Sequence, residues 1–169
     1  MKESKQRKIF DKWLDDYRAL LFKIIRAYAI QAEDQDDLFQ EICLQVFRSI
    51  PNFQGKSAVS TWIYRISLNT AIKWSTKERK HSEGHQEIEK VSHVLELNED
   101  QTDDRISWLY QEIHQLNEVD RSLALLLLEG YSYKEMAELL GISESNIGVK
   151  VHRIKKQLIV NSKNYDDGN

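Results

Sequence analysis

Apolar side chains recur at every third or fourth residue along most of this chain, the spacing that places them on one face of an α-helix. Only six glycines and one proline interrupt its 169 residues, and so few helix-breaking residues favour helices over many short strands. The pattern predicts an amphipathic helix over about residues 9–30, a second helix that Pro51 ends, and a third that ends in a basic run at Lys80. We therefore predict an all-α fold.

A strongly acidic segment divides the helical pattern into two parts. Residues 82–104 carry eight acids and one lysine, with only scattered aliphatic residues, a composition typical of a flexible linker. We predict two small helical domains, a bundle of three or four helices over residues 9–80 and a second domain over residues 105–163. Residues 81–104 would form the flexible acidic linker between them.

Composition excludes several classes of protein. No apolar run approaches the roughly 18–20 residues that a membrane-spanning helix needs, and the charged N-terminus is unlike a secretory signal peptide. A single cysteine, Cys43, cannot form an internal disulfide, which suits a reducing cytoplasm. The chain has no HExxH motif, phosphate-binding glycine loop or serine–histidine–carboxylate arrangement. We predict that it is not an enzyme and needs no cofactor.

One group of side chains raises the alternative of a metal site. His81, His85, Glu89 and His93 are spaced by four residues, and on a helix they would share a face that could hold zinc. The same segment is acidic and contains Gly84, which disfavours a helix there. We therefore predict no metal site.

Positive charge is concentrated in two clusters, although the net charge of the chain is −3. Four of the eight residues 73–80 are Lys or Arg, and residues 144–163 contain five. Such clusters are compatible with phosphate contact at two places along the chain. They are also compatible with ordinary solvated helix faces.

The sharpest local pattern lies between Ser132 and Ile147. Ser132 and Glu135 have the spacing of a capping box at the start of a short helix, and Gly141 supplies the left-handed residue of a tight corner. Ser143 can cap the next helix, whose buried face would contain Ile147, Val151, Ile154 and Leu158. A plain helical hairpin would share the cap and the glycine. The cationic outer face of the second helix favours a helix-turn-helix that enters the major groove of DNA.

Three motifs in this order resemble the extracytoplasmic-function sigma factors, the minimal bacterial type with only sigma regions 2 and 4. Asp37-Leu-Phe-Gln-Glu41 resembles the core-polymerase-binding motif of that family. Phe53-Gln-Gly-Lys-Ser57, followed by Thr61-Trp-Ile-Tyr-Arg-Ile66 and Asn69, resembles the segment that recognises the promoter −10 element. The segment from Glu129 to Gly141, with His152-Arg153, resembles the −35 reader.

The resemblance implies a face of the second helix that binds core RNA polymerase, through its β′ and β subunits. Acids beside one exposed leucine are suited to a basic partner helix, and by resemblance that helix belongs to the β′ clamp. A solvated helix face is the alternative reading of the residues alone. The predicted polymerase-binding residues are Asp37, Leu38, Phe39, Gln40, Glu41, Leu44 and Arg48.

For the −10 element, the resemblance implies a loop and the helix that follows it. Holding a single strand requires a pocket for a flipped base and cations along the backbone. We expect Trp62 to pack in the core, whereas Trp74 should be more open to unstacked bases. The predicted −10 residues are Asn52, Phe53, Gln54, Gly55, Lys56, Ser57, Arg65, Asn69, Lys73 and Lys77.

For the −35 element, the recognition helix offers both phosphate contacts and base readers. Lysines contact phosphates without carrying much sequence information, whereas Arg153, Asn146 and His152 have groups that can read base edges. Gly148 and Val149 depart from the basic or hydroxyl residues common in the family. They suggest either contact of Val149 with a thymine methyl or close approach of the helix to the DNA backbone at Gly148. The predicted −35 residues are Ser145, Asn146, Gly148, Val149, Lys150, His152, Arg153 and Lys156.

The sequence is compatible with two functions. As a sigma factor, the chain would bind core RNA polymerase and promoter DNA and take no small-molecule substrate. The family also implies a cognate anti-sigma factor, so the protein would be cytoplasmic or held at the inner membrane by a membrane-bound inhibitor. The alternative is a stand-alone helix-turn-helix regulator, which would need neither polymerase nor single-strand binding by its first domain.

Overall fold

The computed structural model describes residues 1–81 and 103–168, and in these ranges the chain is helical without strands. The predicted all-α class is confirmed. Contacts between residues divide the chain into two units, Met1–Asp103 and Asp104–Asn169. Each unit has its own buried apolar residues, so each is described separately.

The first unit contains three long helices that all pack against one another. Helix α1 spans Glu3–Tyr28, α2 spans Ala32–Ser49, and α3 spans Val59–His81, with a 3₁₀ turn at Ile50–Asn52 after α2. Helix α1 begins about two turns before the predicted residue 9, because polar residues continue the helix beyond its apolar stripe. Its backbone leaves the helical region at Tyr17, where φ is −118° and ψ is 15°.

The core of this bundle is formed by the inner stripe of each helix. Ile24 and Ile25 of α1, Leu38 and Ile42 of α2, and Tyr64 of α3 are each at most 1% exposed. Burying such side chains contributes about 1.5–3 kcal/mol each relative to leaving them in water. Because each helix turns this stripe inwards, its polar stripe faces solvent.

The second unit contains four helices, and its last pair is the predicted helix-turn-helix. Helix α4 spans Asp104–Gln115, α5 spans Glu118–Leu128, α6 spans Tyr133–Leu140, and α7 spans Glu144–Asp167. The Ser132–Glu135 capping box starts α6, and Gly141 ends it in the left-handed region with φ 69°. Ser143 then caps α7 by accepting a hydrogen bond from the Asn146 backbone at 3.2 Å.

Side chains tie α4 to the helices that follow it. Arg121 of α5 is 3% exposed and donates from Nη2 to the carbonyls of His114 (2.6 Å) and Leu116 (3.0 Å) at the end of α4. At the far end of α7, Asn161 Nδ2 donates to Glu112 at 2.6 Å, and the Tyr165 ring lies 5.5 Å from Trp108. These contacts extend α7 to Asp167, beyond the predicted end at 163.

Several sequence predictions fall on residues 82–102, which lie outside the described ranges. They include most of the predicted flexible linker and the proposed histidine face formed by His85, Glu89 and His93. Within the described ranges, no group of three metal-ligating side chains is close enough to hold an ion. No described helix combines the length and apolar character needed to cross a bilayer.

Cys43 gives a test of the packing in the first unit. It lines a small apolar cavity with Trp13, Val46 and Ile63, and burial raises the pKa of its thiol from 9.0 to about 11. Since the thiolate is the reactive form, about one molecule in a thousand is ionised at pH 8. We expect iodoacetamide to alkylate the folded protein about 100-fold more slowly than the urea-unfolded chain.

The same shift has a definite sign for stability. The folded state holds the thiol proton more tightly than the unfolded chain does. The stabilisation of the folded state by this thiol is therefore complete below pH 9, and it is lost as pH rises towards 11. Cys43→Ser removes the titration and serves as the control in a urea titration repeated across this range. Equal alkylation rates in folded and unfolded protein would contradict the packing.

Candidate polymerase and nucleic-acid interfaces

The predicted polymerase-binding residues occupy different depths on α2. Asp37, Gln40, Leu44 and Arg48 are exposed, and Leu44 is 41% exposed although it is apolar. Phe39 and Glu41 are half-buried. Leu38 is fully buried in the bundle, so its predicted contact with a partner is incompatible with its position. The outer face of α2 is therefore formed by Asp37, Gln40, Glu41, Leu44 and Arg48.

Asp37 is held by a tryptophan of the neighbouring helix. The Trp74 indole Nε1 donates to Asp37 Oδ2 at 2.8 Å. Trp74 is only 9% exposed, so the expectation that it is open to unstacked bases is wrong. Its ring is buried between helices, and its one polar atom fixes the carboxylate of the outer face of α2. Glu41 is similarly restrained by Gln45, whose Nε2 donates to it at 2.9 Å.

Acidic residues crowd the beginning of α2. Burial raises the pKa of the Asp34 carboxyl, and repulsion from Asp37 and Glu33 raises it further. The N-terminus of a helix favours negative charge, but here the carboxylates also repel one another. A cationic partner placed beside them would relieve that repulsion, which gives this end of α2 an electrostatic preference for a basic surface.

A groove of about 410 Å³ runs between α2 and α3. One wall carries Asp37 and Glu41 from the outer face of α2, and the other carries Asn69, Lys73 and Lys77 from the predicted −10 stripe. Trp74 contributes to its lining. Residues predicted separately for polymerase and for DNA therefore meet in one groove, which the sequence patterns did not reveal.

The loop predicted to hold a −10 base is open to solvent. Asn52, Gln54, Gly55, Lys56 and Ser57 are all exposed. Gly55 has φ +69°, and apart from its two chain neighbours no atom of the described residues lies within 4 Å of where its Cβ would be. The glycine is therefore needed for the turn, and the space beside it is open to a ligand.

Phe53 differs from the rest of this loop. Its ring is packed between Trp13, at 5.4 Å and an interplanar angle of 90°, and Trp62, at 5.5 Å. Trp62 Nε1 in turn donates to Ser49 Oγ at 3.1 Å. This confirms the expected packing role of Trp62. Phe53 anchors the loop to the bundle, so its predicted place in the −10 site is that of a support.

The predicted stripe of α3 is intact. Arg65, Asn69, Lys73 and Lys77 follow one another at four-residue intervals, and all four are exposed. Ser67, Thr70 and Ser75, which lie between them in the sequence, are buried. The helix therefore presents a continuous polar and cationic surface that leads from the loop towards its C-terminal end.

On α7, most of the predicted −35 residues are exposed. This group contains Ser145, Asn146, Val149, His152, Arg153 and Lys156. Val149 is 68% exposed, an unusual exposure for an apolar side chain in a helix. Gly148 is half-buried, and a Cβ there would meet the Tyr133 ring of α6 at 3.7 Å, an ordinary contact. The side of Gly148 that would carry the Cβ thus faces α6.

Asp120 of α5 is a functional candidate that the sequence analysis missed. It is 6% exposed, and its Oδ2 accepts from Arg153 Nη2 at 3.0 Å. Its Oδ1 lies 3.9 Å from Lys150 Nζ. The sequence offers little signal for it, because Asp120 is one of three charged residues at the start of α5 and its partners lie about thirty residues further along the chain.

Comparisons with known proteins agree with this arrangement. The model of Sigma-70 region 2 matches residues 13–81, and that of Sigma-70 region 4 matches residues 106–158. An ECF RNA polymerase sigma-E factor of Haemophilus influenzae is 25% identical over 164 residues, which cover 90% of this chain and 86% of the relative. The RNA polymerase sigma factor YlaC of Bacillus subtilis is 29% identical over 133 residues, covering 75% of this chain and 76% of the relative.

A solved structure shows the same fold. The sigma factor RpoE of Bartonella quintana, crystallised in complex with the anti-sigma factor NepR, superposes with a TM-score of 0.65. The two chains are 19% identical, and the match covers 89% of this chain and 94% of that one.

The two family matches together cover more than half of the chain, in the order that defines a two-region sigma factor. The chain belongs to the extracytoplasmic-function sigma factors of bacterial RNA polymerase. Its function is promoter-specific initiation of transcription.

The packing of Phe53 yields a stability prediction. Phe53→Ala removes the ring between Trp13 and Trp62, and we expect the free energy of unfolding to fall by about 2 kcal/mol. The measurement is a urea titration followed by tryptophan fluorescence. Gln54→Ala, an exposed neighbour, is the control and should change stability by less than about 0.5 kcal/mol. Equal stability of the two variants would show that the aromatic contact does not hold the loop.

Proposed function

We propose that the three interfaces predicted from the sequence divide the work of initiation in this chain. The outer face of α2 docks on core RNA polymerase, the loop 52–57 with the α3 stripe holds the −10 strand, and the exposed face of α7 reads the −35 element. The observation that carries this proposal is the groove between α2 and α3, where acids and lysines form opposite walls.

The outer face of α2 has the chemistry of a docking surface. Its carboxylates are restrained by Trp74 and Gln45, so less side-chain entropy is lost when a partner binds them. Leu44 adds apolar area beside the charges. Charged groups around an apolar contact direct association and fix register, and the acidic character calls for a basic helix. By family resemblance, we assign this partner to the β′ clamp.

The triple variant Asp37→Asn/Gln40→Ala/Glu41→Gln tests the docking surface. We expect its affinity for core polymerase to fall at least about 30-fold, the effect of losing a strong interface contact. Binding is measured by fluorescence anisotropy of the labelled chain with core enzyme. Asp11→Asn/Asp15→Asn removes exposed acids from α1 instead and should bind as the native chain does.

Trp74→Phe tests whether docking depends on the position of the Asp37 carboxylate as well as on its charge. It keeps an aromatic ring in the bundle but removes the hydrogen bond to Asp37, worth about 1 kcal/mol, so affinity should fall about fivefold. If the triple variant bound core polymerase with the affinity of the native chain, the polymerase interface would have to lie elsewhere on the chain. If the native chain itself did not bind a competent core enzyme, the docking surface proposed on α2 would be refuted.

The α3 stripe is suited to binding the backbone of single-stranded DNA rather than to reading a base sequence. Lysines at four-residue spacing can follow successive phosphates, and Asn69 can donate to and accept from a base edge. The loop before α3 offers open space beside Gly55 and exposed amide and hydroxyl groups. We infer that a base leaving the duplex enters at the loop and that its backbone continues along the stripe.

The salt dependence of single-strand binding tests this assignment. Each phosphate contact on a single strand adds about 0.7 to the slope of log affinity against log salt. Lys73→Gln/Lys77→Gln should therefore lower the slope by about 1.4 for a mixed-sequence oligonucleotide. Lys5→Gln/Lys8→Gln removes the same charge from α1 and should leave the slope nearly unchanged. If the two double variants had equal salt-dependence slopes, the single-stranded DNA would have to bind away from α3.

Regulation and location are proposed from the relatives. The Bartonella sigma factor was solved with an anti-sigma factor, and we infer that this chain also has such an inhibitor. A membrane-bound inhibitor would hold the protein at the inner membrane, and its release would return it to the cytoplasm. We further propose that the chain is not itself an enzyme, since its relatives are sigma factors and polymerase supplies the chemistry.

A further inference from the structure

Asp120 connects a helix outside the helix-turn-helix to two cations of the recognition helix. It lies in the first turn of α5, where Asn117 Nδ2 donates to its Oδ2 at 2.9 Å. The same oxygen accepts from Arg153 Nη2 at 3.0 Å, and Lys150 Nζ lies 3.9 Å from Oδ1. Oδ1 is buried and accepts no hydrogen bond from any group in the described ranges.

A buried carboxylate is stable only when charges and donors compensate for its lost hydration. Here the compensating cations come from the helix that the proposed function places in the major groove. The side chain of Asp120 is 8% exposed, whereas that of Arg153 is 58% exposed. The ion pair thus has a buried acidic end and a solvent-accessible basic end.

This arrangement restrains an arginine without hiding it. Arg153 has five N–H donors in a planar fork, and Asp120 occupies one terminal nitrogen. A free arginine loses rotamer freedom when it binds, and a preorganised one loses less. Restraint matters most for a contact with strict geometry. Phosphate accepts a cation from many directions, but the O6 and N7 edge of guanine requires the fork in one plane.

We propose that Asp120 is a positioning residue that orients Arg153 to read a guanine in the −35 element. Lys150, at the second carboxylate oxygen, lies beside it and contacts the neighbouring phosphate. The proposal rests on the DNA-binding role of α7 but is independent of polymerase. Asp120 would therefore contribute to sequence discrimination without touching DNA.

A competing explanation is that Asp120 acts on α7 only through its negative charge. A carboxylate beside two cations lowers the positive potential of α7, and its removal would strengthen binding to every sequence alike. The positioning account instead expects Asp120→Asn to alter preference at one base position. The two accounts are separated by measuring base preference and overall affinity in the same variant.

In the experiment, the full-length chain is mixed with a pool of short DNA duplexes whose central positions are randomised. The bound duplexes are sequenced, and the base preference at each position is measured. We expect the native chain to enrich guanine at a position where Arg153→Ala abolishes the preference. Asp120→Asn should lower that enrichment about tenfold, within the range of a bidentate contact. When Arg153→Ala is already present, adding Asp120→Asn should not change the base preference further. Lys156→Ala should weaken binding to all sequences equally and keep the preference.

Two results would overturn the proposal. One is tighter binding of Asp120→Asn to the whole pool with unchanged preferences, which supports the electrostatic account. The other is a pool in which no guanine preference depends on Arg153. Circular dichroism checks that each variant is folded. If Asp120→Asn is not folded, Asp120→Glu decides, because it keeps the negative charge but moves the carboxylate by one methylene. An unchanged guanine preference in that variant would exclude positioning.

The selection uses the chain without polymerase. A failed polymerase-binding experiment would therefore refute the docking surface on α2 without affecting this result. Conversely, loss of the guanine preference would leave the polymerase interface intact. The two proposals can be rejected separately.

Discussion

Burial of one apolar stripe on each helix is the constraint on which the rest of the first unit depends. When Ile24, Leu38 and Tyr64 turn into the bundle, the opposite stripes of their helices must face solvent. The acids of α2 and the cations of α3 lie outside those buried stripes. The surfaces proposed for polymerase and the −10 strand are thus consequences of core packing, and their mutual orientation is set by the same contacts that stabilise the fold.

In each unit, a hydrogen bond between helices holds a side chain to which we assign a function. Trp74 fixes Asp37 across α2 and α3, and Asp120 fixes Arg153 across α5 and α7. In each case the supporting residue is buried and the supported residue reaches the surface. Anchoring of this kind reduces the entropy that a side chain loses when it binds a partner.

Much of the fold was predictable because its signals are local. Ser132, Glu135, Gly141 and Ser143 define the helix-turn-helix through caps and a left-handed turn that involve only near neighbours. Helix ends were less predictable. Polar residues carry α1 back to Glu3, and contacts with α4 carry α7 on to Asp167. Neither extension has an apolar period that marks it.

The sequence by itself determined the helices, their caps, the charge of each outer face and the family. Only the tertiary structure decided the depth of individual side chains, because burial depends on which helices meet. It placed Trp74 in the interior although it stands beside Lys73, made Phe53 a packing residue, and brought Asp120 to Arg153. Contacts between residues distant in the chain leave no periodic trace in a single sequence, and the packing of helices creates them.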